Sequence, residues 1–276
     1  MLMITEALLY AATLPLTGKP CRKFIRYSVN LWSRAGRCAA DWAEHEEMSR
    51  KAILAAAADL RQKRTAVVLG SGLLRDVPIE VLARDFDTVV LVDLVHLASV
   101  RLWLSAKFYR NVRLIERDLS GYDELAAGRE PEPLGFLRGV PYLDFVVSAN
   151  LLSQIGRGVK RRHEAEAGRM PEDTVERLIT AHLTGLAGLP CSNCLVTDIA
   201  YAVIDRNGKT HEEADLLHGV LPPPAKAAWT WPVVPLGEES NDYRIEHKVI
   251  AGWRSGYDRR QYLVAADIHS EPRSPR

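Results

Sequence analysis

The stretch Thr65–Pro78, TAVVLGSGLLRDVP, sets five apolar or β-branched residues directly before two glycines, and a second run, Thr88–Asp93 (TVVLVD), closes on a carboxylate. A buried strand that ends in small residues lets backbone approach a ligand with no side chain between them. An acid closing the next strand accepts hydrogen bonds from two ribose hydroxyls, and Asp93 stands about 20 residues past the glycine turn, the interval this chemistry needs. Gly70, Ser71, Gly72 and Asp93 therefore point to an adenosine-type ligand. Asp93 has a second reading, as a helix N-cap for the segment Leu94–Tyr109. Leu74 or Arg75 stands where a dinucleotide fingerprint has its third glycine, which makes close approach to a pyrophosphate less natural.

Other residues could do chemistry beside such a turn. SANLLSQI (Ser148–Ile155) offers neutral donors and acceptors at Asn150, Ser153 and Gln154, although Ser148 or Asn150 also reads as a helix cap. Trp42, His45, Ser49 and Ile53 share one helical face. His45 is a candidate general base there, needed only if a reacting group must lose a proton, or else a structural histidine. Trp229 and Trp231 read as an aromatic wall or, the reading preferred at this point, as packing. The basic run Gly156–Arg169 carries no interleaved aromatics and runs into EAEA, so it reads as a solvated insertion rather than a grip on RNA phosphate. Cys191 and Cys194 form CSNC without a second close pair. Zinc needs two more ligands, so buried thiols and no metal are expected.

The elements that must position these groups alternate. Strands are predicted at Thr65–Leu69, Thr88–Val92, Val112–Glu116, Leu143–Ala149 and Cys194–Ile204, with helical segments such as HLASVRLWLSAKFY between them. Apolar runs separated by helices imply a parallel sheet covered on both faces. DYRIEHKVIAGW and RRQYLVAADI, joined through RSGYD, read as an antiparallel hairpin closing that sheet, and LPPPAKAAWTWPVVP before them as a proline-braced loop. The expected fold is α/β: a doubly wound, mainly parallel seven-stranded sheet with an antiparallel C-terminal hairpin and an N-terminal helical cap. Residues 1–60 form the cap, 61–270 the sheet domain and 271–276 a disordered tail.

At 276 residues, with 47% hydrophobic and 26% charged side chains, the chain suits a folded globular protein. Its formal net charge of +1 gives no global argument for a polyanion partner. The apolar N-terminus lacks a positive leader region and carries Glu6, so it is expected to pack as a helix capped by Thr5. No membrane span is expected, and the cysteine pattern suggests the cytoplasm.

VVLGSG, VVLVD, IERDLSG and LDFVVSANLLSQI together resemble motifs of the class I S-adenosylmethionine-dependent methyltransferases over roughly residues 61–268, as does the closing hairpin, which a plain dehydrogenase domain usually lacks. The resemblance implies S-adenosylmethionine as cofactor and a small-molecule methyl acceptor. Gly70, Ser71 and Gly72 would lie against the methionine portion, Asp93 and Leu94 near the ribose, and Asp118 and Leu119 at adenine. Asn150 and Leu151 would sit beside the transferred methyl. Two positions depart from the pattern: Val68 replaces an acid that often helps place the amino group, and Leu74 a small residue. Arg75 and Asp76 are read either as substitutes, contacting the methionine carboxylate and amine, or as helix-start charges. The acceptor is expected among Trp42, Gln154, Asp198 and Tyr201, with His45 and Asn150 as catalytic candidates. Two alternatives stay open: an NAD(P)-dependent oxidoreductase using the same turn, and a degenerate methyltransferase fold that binds protein or RNA.

Overall fold

Ala66 and Val68 point to one face of the sheet and Val67 and Leu69 to the other, and all four are fully buried, so both faces of this strand must be covered. The computed structural model, which describes residues 2–166 and 171–256, shows how. Three helices come first: α1 (Leu2–Thr13), α2 (Ile25–Arg37) and α3 (Ala39–Ala57). The alternating part follows as β1 (Thr65–Leu69), α4 (Ile79–Asp85), β2 (Thr88–Asp93), α5 (Ala98–Ala106), β3 (Val112–Glu116), α6 (Tyr122–Ala126), β4 (Leu143–Ala149), α7 (Leu152–Glu166) and α8 (Thr174–Ala187). It closes with β5 (Ser192–Asp205), β6 (Thr210–Asp215), β7 (Ala227–Val234) and β8 (Tyr243–Arg254).

The strands form one sheet in the order β3-β2-β1-β4-β5-β8-β7, with β6 paired to the far half of β5. β1 to β5 pair in parallel, and β8 runs antiparallel to both β5 and β7. Order reverses between β1 and β4, and at such a switch point the connections leave in opposite directions and open a crevice at the carboxyl ends. One apolar layer joins Ala66, Val68, Leu91 and Phe145 to Ile25, Val29 and Ile53 of the N-terminal helices and to Leu82 and Leu104. The opposite layer joins Val67, Leu69 and Val146 to Leu152 and Ile155 of α7 and Leu178 and Ile179 of α8. The N-terminal helices thus share the sheet's core. Thr13 of α1 even caps α5, its hydroxyl accepting from Ala98 N at 3.0 Å.

The doubly wound, mainly parallel sheet with an antiparallel C-terminal part and N-terminal helices is as the sequence predicts. Its details differ. The partner of β8 is β7, the AAWTWPVV segment read as a loop; the second expected arm, RRQYLVAADI, lies outside the described residues, as does the 271–276 tail. Pro232 is tolerated because β7 is an edge strand, where a missing amide breaks no inner ladder. β6 was not foreseen; its residues are almost all exposed, so it carries no apolar signal. α1 begins at Leu2, ahead of Thr5, and leaves Met3, Ile4 and Leu8 exposed rather than packed. No helix among the described residues is long and apolar enough to cross a membrane.

Candidate functional site

A cleft of about 860 Å³ opens at the carboxyl ends of the parallel strands. Its floor is the turn after β1. Gly70 has φ +74°, and a Cβ there would meet the carbonyl oxygen of Ala149 on β4 at 2.7 Å, so only glycine permits this approach. Gly72, at φ +50°, would place a Cβ 3.9 Å from Gly70 O with nothing nearer: its α-carbon faces open space. Asp93 holds the turn in place. One carboxylate oxygen accepts from Gly72 N and the other from Leu94 N, each at 2.7 Å. It is not a helix cap, since α5 starts only at Ala98.

The helix expected directly after the glycines is delayed to Ile79. Leu74 adopts φ +62°, and Pro78 biases Val77 away from helical backbone. The N-terminus of α4 therefore does not follow directly on the glycine turn, and the helix-start reading of Arg75 and Asp76 falls. Arg75 instead pairs with Glu46 of α3. Asp76 accepts from the Asn150 side-chain amide at 2.7 Å, and burial pushes its carboxyl above the usual range despite that bond. Asn150 itself sits in the left-handed region, φ +49°, which turns its side chain into the cleft as β4 ends.

His45 and Trp42 enter from α3. The indole N–H of Trp229 donates to His45 Nδ1 at 3.1 Å, so the imidazole proton must sit on Nε2, 3.4 Å from the Asn150 amide nitrogen. Burial pushes this imidazole down to about 4, with Asp198 opposing. His45 also stacks flat on Trp231, ring centroids 4.0 Å apart. With its one lone pair taken by Trp229, His45 is not placed to act as the expected general base. Trp42 donates to Pro232 O at 3.1 Å and meets Trp231 edge-on. Trp231 reaches the cleft wall, whereas Trp229 serves His45.

The remaining residues divide. Asp118 lines the cleft, and one of its oxygens closes a turn by accepting from Ser120 N at 2.8 Å. Leu94, Leu119, Leu151, Gln154 and Asp198 also line the cleft. Ser71 and Tyr201 do not. The Ser71 side chain is buried beneath the turn, and the Tyr201 hydroxyl donates to Glu212 across the β5–β6 pairing. Cys191 and Cys194 are buried, and burial pushes their thiols up to about 11 and about 12.

Two features escaped the sequence reading. The first is a pairing: Asp198, midway along β5 and already expected near the acceptor, accepts from His247 Nδ1 of β8 at 2.6 Å, and both side chains are 3% exposed. Burial raises the Asp198 carboxyl, but the His247 hydrogen bond, with Ser153 and Arg157 nearby, brings it below the usual range. Arg157 approaches His247 Nε2 to 3.3 Å, and since an arginine can only donate, that nitrogen is the acceptor in this contact. The described part of the basic run, 156–166, lies in α7, where Arg157, Lys160 and Arg161 are exposed as a solvated run would be, while Arg157, Arg161 and Arg162 also line the cleft. The i, i+4 spacing of Arg157 and Arg161 is the signal that could have shown it. His247 gave only the hint of a polar residue on the inward parity of a strand.

Reversed β8 lies between β5 and β7, so the sheet is parallel except in its C-terminal part. No family model matches the chain, and no curated protein matches it significantly. Solved structures do. The N-methyltransferase NodS from Bradyrhizobium japonicum, in complex with S-adenosyl-L-homocysteine, aligns at 12% identity over 75% of this chain and 86% of its own, with a TM-score of 0.37. The 1,6-didemethyltoxoflavin-N1-methyltransferase from Burkholderia thailandensis aligns at 13% identity over 79% and 86%, TM-score 0.33. The YcgJ protein from Bacillus subtilis aligns at 11% identity over 55% of this chain and 51% of its own, TM-score 0.33. At such identities and scores these likenesses say nothing of the ligand or the reaction of this chain.

Proposed function

We propose that this protein is an S-adenosylmethionine-dependent methyltransferase acting on a small molecule, in the cytoplasm. The observation that carries the reading is the Gly70–Gly72 turn, fastened by Asp93 and open to the cleft at the β1/β4 switch point. Each Asp93 oxygen accepts one amide, and a carboxylate has about four acceptor positions, so capacity remains for two ribose hydroxyls. The backbone of Gly70–Gly72 faces the methionine portion. Asp76 and Asn150 would accept from its ammonium, and Arg75, paired with Glu46 in the free protein, would turn to its carboxylate. Leu94 and Leu151 wall the cofactor, and Asp118 and Leu119 flank adenine. Transfer to an acceptor among Trp42, Gln154 and Asp198 is an in-line displacement at a sulfonium, so alignment is the main service the site provides.

Residues 1–60 form the cap on a catalytic unit spanning 61–270, and the cap's side chains wall the acceptor half, which suits a small molecule better than a nucleic acid. A nicotinamide dinucleotide needs a helix N-terminus at its pyrophosphate, and the delayed start of α4 denies it one. Calorimetric titration with S-adenosylhomocysteine and with NAD is the test. The expected result is binding of the former alone; binding of NAD alone would overturn the reading.

A further inference from the structure

Three features meet in the part of the cleft between β5, β8 and α7. The first is a buried histidine, His247, whose Nδ1–H is fixed by Asp198 and whose Nε2 is turned to the cleft side, where Arg157 donates to it at 3.3 Å. The second is cationic. Among the described residues no carboxylate lies within 4.0 Å of the Arg157 or Arg161 guanidinium, although both line the cleft, and Arg161 lies over the Tyr27 ring at 4.7 Å. Arg162 is different, being paired with Asp123 and Asp118. The third is aromatic: Tyr27, Trp42 and Trp231 line the same space.

An unneutralised guanidinium in a cleft is a ready partner for an oxyanion, and it pairs a carboxylate in two-pronged geometry. Flat rings on the walls favour a flat ligand. A histidine held in one tautomer by a buried carboxylate is built to take a proton at its other nitrogen.

We propose that the methyl acceptor is a small aromatic acid with an ionisable hydroxyl, its carboxylate held by Arg157 with Arg161 and its hydroxyl facing His247 Nε2. This rests on the methyl-transfer reading and goes on to name the acceptor class and the base. On binding, the carboxylate draws the Arg157 guanidinium from the imidazole and frees the lone pair. The hydroxyl O–H bond then breaks, its proton passing to Nε2. The oxygen's electron pair forms the bond to the methyl carbon, and the carbon–sulfur bond breaks with its pair left on sulfur, which turns the sulfonium into a neutral thioether. The imidazolium, facing Asp198, afterwards returns its proton to solvent. The groups around His247 are Asp198 from β5, Arg157 from α7 and His45 from α3, with the rings of Tyr201 and Trp231.

The experiment has three steps on the full chain. Titration with S-adenosylhomocysteine comes first; no binding there would remove the methyltransferase reading itself. The protein saturated with it is next titrated with 4-hydroxybenzoate, salicylate and 4-hydroxycinnamate and with the matching amides. At least one acid should bind ten times more tightly than its amide, and Arg157→Gln should abolish that preference while leaving S-adenosylhomocysteine affinity unchanged. If no acid outbinds its amide, or if the preference survives in the Arg157→Gln, Arg161→Gln double variant, the acceptor class is wrong although the cofactor reading stands. Finally, wild-type protein should methylate the preferred acid. His247→Gln should lower kcat by about 100-fold at unchanged KM, in the range of general-base losses, and Asp198→Asn, which frees the tautomer, should lower it in the same direction. A bound acid that is not methylated, or a kcat that His247→Gln leaves intact, overturns the proposal. S-adenosylhomocysteine affinity reports the fold of each variant.

Discussion

Asp93→Ala is the substitution whose consequences the structure fixes most closely, because this carboxylate has two separable duties. In the free protein it accepts from Gly72 N and Leu94 N, both at 2.7 Å, and so ties the β1 turn to the end of β2. A hydrogen bond to a charged group contributes about 1.5–3 kcal/mol, and water entering the cleft can replace part of it, so we take the lower end for each. The sum is about 3 kcal/mol. At about 2–4 °C per kcal/mol for a chain of this size, Tm should fall by roughly 6–12 °C. Two lost ribose hydrogen bonds of similar strength should weaken S-adenosylhomocysteine by about 100-fold, since each 1.4 kcal/mol is tenfold. Asp93→Asn distinguishes geometry from size. Its amide has one acceptor and one donor, so one of the two backbone N–H groups must face an NH₂, and it should cost nearly as much as alanine. Thermal unfolding with and without S-adenosylhomocysteine, together with calorimetric titration, reads both duties. A Tm within about 2 °C of wild type and an affinity within about threefold, judged against those expected sizes, would refute the reasoning.

Gly70→Ala should destabilise far more than Gly72→Ala. Both residues have positive φ, which costs a non-glycine residue about 1–2 kcal/mol, but only at Gly70 does a Cβ strike backbone, 2.7 Å from Ala149 O; paired denaturant melts compare them. His45→Gln should lower kcat less than about tenfold, well short of the 10²–10⁴ of a general base, because its lone pair is occupied; steady-state kinetics checks it. Stability should fall on acidification from pH 6.5 towards 4. His45 and His182 both have imidazoles lowered by burial to about 4, so the unfolded chain binds their protons first; the stability is present above about 6.5 and lost as pH falls through that window. At pH 5 the loss is of order 2 kcal/mol per histidine, and a pH series of melts on the His45→Gln, His182→Gln double variant should show a flatter slope than wild type.

The division between what was legible in the sequence and what was not follows chain separation. β1 to β5 announce themselves because each is a short apolar run buried on both faces, and the Gly70–Asp93 half of the site is local, two neighbouring strand ends about 20 residues apart, the spacing of one βαβ step. The loop reading of β7 failed for a specific reason: Pro232 and the preceding prolines argue against an inner strand, and nothing local reveals that the segment occupies an edge. The helix-start reading of Arg75 and Asp76 failed because two residues with positive φ, Gly72 and Leu74, postpone the helix.

The other half of the site is non-local. Asp198 and His247 meet only because β8 pairs antiparallel with β5 in a register that sets Asp198 opposite Val249, with His247 two residues further along the same face. A slip of one residue would turn His247 to the opposite face and leave a buried carboxylate unpaired, an arrangement costing several kcal/mol. The pairing therefore selects its own register through this bond as well as through the apolar neighbours Val249 and Ala251. Arg157 reaches Nε2 from a third element, α7, whose apolar stripe of Leu152, Ile155 and Val159 packs on the opposite layer and thereby turns its basic stripe to the cleft. Helical periodicity, rather than the basic composition of the run, decides that those exposed charges border the cleft.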